Sequence, residues 1–111
     1  MNAAGLAVTL RGVSSALKMT AWFEGLVTGG QIKKDELDGA AQMAQALATE
    51  VRNASAHKLE PLVAHYSDRL TKHSDRFHSM KGTDPLGALH QAQTMIGHVS
   101  TILVKANIRR A

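Results

Sequence analysis

Apolar side chains recur every three or four residues along most of the chain, without the alternating Val, Ile, Thr and Tyr runs that are typical of strands. This periodicity, interrupted at turn-forming positions, predicts four helices. They span roughly residues 3–28, 34–56, 60–79 and 85–108. Because the connections between them are short, we expect an all-α fold, an antiparallel four-helix bundle that forms a single domain over residues 1–111.

The boundary between the second and third helices depends on Pro61. The apolar stripe before it is Leu37, Ala40, Ala44, Leu47 and Val51, and the stripe after it is Leu59, Val63, Tyr66, Leu70 and Phe77. At about 100° per residue the two stripes are offset by roughly 90°, so one straight helix would not bury both. Since proline is tolerated in a first turn, we predict a break at residues 57–60 and a new helix from about residue 60. The alternative is a long kinked central helix in a three-helix, hairpin-like arrangement.

The residue types that carry most enzyme chemistry are missing or poorly placed. The chain has no cysteine, which excludes disulfides, thiolate nucleophiles and cysteine-bound metals. Successive histidines are 8, 8, 5, 12 and 8 residues apart, whereas a metal-binding pair on one helix needs a spacing of three or four. Serine stands beside aspartate only in a repeated Ser-Asp-Arg pattern, at residues 67–69 and 74–76 near His73, which is typical of a charged surface rather than of a nucleophile with its base. We therefore expect no enzymatic activity, no cofactor and no metal.

Charge is concentrated in the second half of the chain. Residues 57–111 hold eight Lys and Arg, four Asp and Glu and all six histidines, so they carry the whole net charge of +4. On the third helix the bases fall within an arc of about 100°, and acids lie on the opposite flank. The basic stripe is Lys58, His65, Arg69, Lys72 and Arg76, and the acidic flank is Asp68 and Asp75. Such a helix can be a solvated surface, a contact between subunits, or a stripe that tracks nucleic-acid phosphates.

The first helix has more apolar residues than one buried face requires. Those that lie away from its main stripe are Val8, Met19, Trp22, Phe23 and Leu26. The helix is either central and buried from both sides, or it exposes an apolar patch. For the second case we predict Trp22, Phe23 and Leu26 as anchors for a protein partner or a second copy. The acid-free stretch before Glu24 is also typical of an organelle transit peptide, but we interpret it as a structural helix.

The last helix begins with an N-cap and a first-turn proline, Asp84 and Pro85. Leucines and glutamines follow along one amphipathic helix, at Leu86, Leu89, Gln91 and Gln93 and then from Val99 to Ile108. With these residues, the segment from Asp84 to Ala111 resembles the C-terminal part of type III secretion needle and inner-rod subunits. The resemblance implies a small structural subunit.

These observations favour a small, non-enzymatic helical module for protein interaction or assembly, which we expect to self-associate. The first alternative is a nonspecific nucleic-acid-binding protein that uses the basic stripe. The second is a structural subunit like those of type III secretion needles and inner rods. No apolar run reaches the roughly 18 residues of a membrane span, so we expect no transmembrane segment.

Overall fold

A computed structural model describes residues 1–23 and 30–110 of the chain. Over these residues the protein forms four helices and no strand. They are α1 (Ala3–Trp22), α2 (Lys34–Asn53), α3 (Ala56–Met80) and α4 (Pro85–Lys105). The predicted all-α four-helix bundle is therefore confirmed, and the three-helix alternative is not adopted.

The bundle consists of two helical hairpins packed side by side. The most extensive contacts are those of α1 with α2 and of α3 with α4, and the α2–α4 and α1–α3 contacts join the two pairs. One end of the core combines Leu6 and Val51 with Leu59 and Leu103. Since these residues come from the starts of α1 and α3 and the ends of α2 and α4, chain neighbours run antiparallel. The molecule measures 43 × 23 × 20 Å.

Local signals in the sequence account for several helix ends. The Asn2 side chain accepts a hydrogen bond from the Gly5 N–H at 2.7 Å and caps α1. The Asp84 side chain accepts one from the Gly87 N–H at 3.0 Å, and Pro85 occupies the first turn of α4, as predicted. Beyond α4, Asn107 adopts a left-handed conformation with a φ of 59°.

The predicted position of the break before Pro61 is wrong. The break lies at Ala54 and Ser55, which are both extended, so α2 ends at Asn53 and α3 begins at Ala56. Pro61 consequently lies inside α3, in its second turn. There its missing N–H leaves the carbonyl of His57 without the usual helical donor.

Two further helices end earlier than predicted. The first ends at Trp22 rather than near residue 28, and residues 24–28 of the predicted helix lie outside the described part of the chain. The last ends at Lys105 rather than near residue 108, because the N–H groups of Ile108 and Arg109 bond back to the Leu103 carbonyl and close the helix.

Candidate functional site

The outward face of α1 carries large apolar side chains in contact with solvent. The exposed fraction is 77% for Trp22, 46% for Phe23, 67% for Met19 and 59% for Val8. The sequence left open whether this helix is buried from both sides or exposes an apolar patch. The structure shows an exposed apolar patch. The anchor role of Trp22 and Phe23 stays a prediction, and the third predicted anchor, Leu26, lies outside the described residues.

This apolar surface is a continuous stripe rather than a single spot. Its exposed residues, here called the α1 face, are Ala4, Val8, Gly12, Ser15, Met19 and Trp22. They recur at spacings of three and four, which places them on one side of the helix, and none is charged. The small residues Gly12 and Ser15 lie between Val8 on one side and Met19 and Trp22 on the other. Arg11 and Lys18 flank it along one edge.

The predicted basic stripe and acidic flank both lie on the surface of α3. All five stripe residues are exposed, as are Asp68 and Asp75. Among residues 1–23 and 30–110 the only ion pair joins Arg109 Nε to Glu50 Oε1 at 3.0 Å, so the flanks of α3 do not pair with each other. Their predicted roles in binding are not tested by this placement.

A polar cluster that the sequence did not predict lies where α3 meets α4. Its centre is Tyr66, whose ring is buried and whose hydroxyl accepts a hydrogen bond from Lys105 Nζ at 3.0 Å. The guanidinium carbon of Arg69 lies 5.6 Å from the centroid of the same ring. Two cations, one from each helix, therefore approach one tyrosine.

Two histidines extend this cluster along the seam between the helices. The rings of His73 and His98 are 5.6 Å apart, and the ring of His98 is 5.9 Å from that of Tyr66. His73 Nδ1 is 2.6 Å from Gln91 Oε1. Because an amide oxygen can only accept a hydrogen bond, Nδ1 is the donor. Burial, followed by the nearby charges of His73 and Arg69, lowers the pKa of His98 below its ordinary value.

Sequence reasoning missed the histidine pair because it followed each helix separately. The signal that identifies the seam is a spacing of seven on both partners, at Tyr66 and His73 on α3 and at Gln91, His98 and Lys105 on α4. In the described part of the chain no three His, Asp or Glu side chains come together in a way that could hold a metal ion.

Comparison with known proteins found no matching family model, no matching curated protein and no matching solved structure. The resemblance of residues 84–111 to type III secretion needle and inner-rod subunits therefore stays a prediction. Among the described helices, none is long and apolar enough to cross a membrane.

Proposed function

We propose that this protein is a non-enzymatic helical module that self-associates through the α1 face. The observation that carries the proposal is the exposure of Val8, Met19 and Trp22 on one uncharged stripe. Large apolar groups that share one side of a surface helix in contact with water are typical of an interaction site. Association would remove them from water, and each large side chain fully buried is worth about 1.5–3 kcal/mol.

A second copy of the chain suits this surface because small residues lie between large apolar ones along it. Gly12 and Ser15 leave a shallow middle, and Val8 and Met19 project on either side of it. Two such helices can cross at the small residues, since the distance between helix axes depends on the side chains at the crossing. Contacts of this self-complementary kind are the commonest basis of dimers.

Gly12 offers a direct test that does not disturb the fold. A Cβ added there meets no atom within 4 Å, and the same is true of Gly97 on the exposed side of α4. We expect Gly12→Gln to reduce the mass measured by light scattering to that of a monomer, because the new side chain blocks the crossing. Gly97→Gln is the matched control and should leave the mass unchanged.

The salt dependence of the mass separates the α1 face from the charged flanks of α3. An apolar interface persists between about 50 and 300 mM salt, whereas contacts between the basic stripe and the acidic flank weaken over that range. Trp22→Ala should also dissociate the assembly while α-helical circular dichroism is retained. A wild-type monomer at every concentration and both salt conditions would overturn the proposal.

Nonspecific nucleic-acid binding is the second candidate function. It is favoured by the exposure of all five basic-stripe residues, none of which is in an ion pair within the described part of the chain. With few phosphate contacts, binding should appear in gel shifts at about 50 mM salt and disappear by about 300 mM. Lys72→Ala and Arg76→Ala should weaken it, and Arg11→Ala on α1 is the control. The absence of any shift at the lower salt concentration contradicts this function.

A further inference from the structure

We propose that the seam between α3 and α4 is a binding site for a phosphoryl group, held by Arg69, Lys105 and the hydroxyl of Tyr66. This site is separate from the α1 face, and the proposal does not depend on self-association. Its three ligating groups come from two helices and meet at one aromatic ring.

The seam has an excess of hydrogen-bond donors. The Tyr66 hydroxyl accepts from Lys105, but its own hydrogen has no acceptor among the described residues. The Lys105 ammonium has further donors, and the Arg69 guanidinium has five N–H groups and makes no hydrogen bond within residues 1–23 and 30–110. Lys105 and Arg69 are both exposed, and Lys105 Nζ lies 3.0 Å from the hydroxyl oxygen of the buried Tyr66. A site of this composition binds a ligand that is rich in acceptors.

Positive charge in the seam is not balanced by nearby carboxylates. The whole of α4 contains no Asp or Glu. Of the three α3 carboxylates, Asp68 and Asp75 are exposed without an ion pair in the described part of the chain, and Glu60 accepts a hydrogen bond from the Ala3 N–H at 3.0 Å. The pKa of His98 is lowered mainly by burial, and the charges of His73 and Arg69 lower it further. An anion bound at the hydroxyl of Tyr66 would counter the repulsion between these groups.

A phosphoryl group fits the seam better than a single carboxylate does. It offers three or more acceptor oxygens and nearly two negative charges at neutral pH. A guanidinium, an ammonium and a hydroxyl donor match that charge and number of oxygens, and guanidinium binds phosphate through two parallel hydrogen bonds. The phosphoryl group can belong to free phosphate or to a phosphate monoester, and the test distinguishes these two sources.

The test follows the imidazole C–H resonances of His73 and His98 by NMR while inorganic phosphate replaces chloride at constant ionic strength. We expect a saturable shift near neutral pH. Lys105→Met and Arg69→Gln should each weaken phosphate binding about tenfold or more, because each removes a charge-assisted hydrogen bond. Tyr66→Phe, which keeps the buried ring, should weaken it several-fold. Lys72→Met and Arg76→Gln remove exposed bases from the same helix and should leave the affinity unchanged.

Titration with a nucleoside monophosphate in place of phosphate identifies the source. Tighter binding of the monoester, with the same loss in Lys105→Met, supports a phosphorylated small molecule, and equal affinities support free phosphate. The proposal is overturned if phosphate produces no saturable shift. It is also overturned if Lys72→Met and Arg76→Gln weaken binding as much as Lys105→Met does, because the anion would then follow the whole basic stripe.

Discussion

The two hairpins of this bundle achieve similar helix pairing with different side chains. In the α1–α2 pair the contact relies on buried alanines such as Ala7, Ala41 and Ala44, and its one interhelical side-chain hydrogen bond is buried. In the α3–α4 pair the contact includes Tyr66 and a half-exposed rim of histidines and cations. The first hairpin is thus closely packed with an apolar outer face, and the second is polar along its seam.

This difference separates the two candidate surfaces. Because the α1 face carries no charge, any association through it depends on apolar area and persists in salt. Lys105 and Arg69 at the α3–α4 seam form no ion pair in the described part of the chain, so any ligand bound there would be an anion, and its binding would depend on salt. The effects of substitutions on the free energy of unfolding can therefore be compared between the two hairpins of one molecule.

The largest effect is expected where the hairpins join. Phe77 is the only buried α3 residue in a core cluster whose other members come from α1, α2, α4 and the segment before α2. Phe77→Ala should lower the free energy of unfolding by about 3–5 kcal/mol, since it removes buried area and leaves a cavity. Urea denaturation measures this change. Lys72→Ala, on the exposed side of α3, is the control, and a cost for Phe77→Ala below about 1 kcal/mol would show that Phe77 does not join the hairpins.

Close packing of α1 on α2 makes that hairpin sensitive to added volume. Ala44 is fully buried at this contact, and Ala46 on the same helix is exposed. Ala44→Leu should destabilise the protein by about 1–3 kcal/mol because the extra methylenes have no space. Ala46→Leu should change the stability by less than about 0.5 kcal/mol. Equal effects of the two substitutions in thermal denaturation would contradict the close approach of the helices.

A smaller effect is expected from the buried hydrogen bond of the same hairpin. Ser14 Oγ donates to the Ala41 carbonyl at 2.7 Å, and Ser14 is 1% exposed. Ser14→Ala should cost about 0.5–1.5 kcal/mol, the usual net value of one hydrogen bond. The neighbouring Ser15 is exposed, so Ser15→Ala serves as the control in the same denaturation experiment. A stabilising Ser14→Ala would mean that packing at this contact matters more than the hydrogen bond.

The periodicity of single helices was sufficient to predict most of the fold. It correctly placed Leu37, Leu70 and Phe77 in the core, and the pair Asp84 and Pro85 marked the start of α4. The start of α3 was missed because the prediction placed Pro61 in a first turn, whereas the helix begins after Ser55 and the proline lies in its second turn. The seam was missed for another reason. The approach of His73 to His98 depends on the register between two helices, which the pattern within one helix does not specify.

The smallest expected effect concerns the pH dependence of stability, which distinguishes the polar hairpin from the apolar one. In the folded protein the pKa of His98 lies below its ordinary value of 6.5. Burial is the main cause, and the nearby charges of His73 and Arg69 add to it. The folded state therefore binds the proton less tightly than the unfolded chain does, and the free energy of unfolding falls as the pH decreases through about 6.5. His98→Gln removes the group that is protonated, so the free energy of unfolding of this variant should fall less than that of the wild type between about pH 7.5 and 5.5. Urea denaturation of both proteins at the two pH values measures the difference, and an identical fall in both would mean that protonation of His98 is not linked to folding.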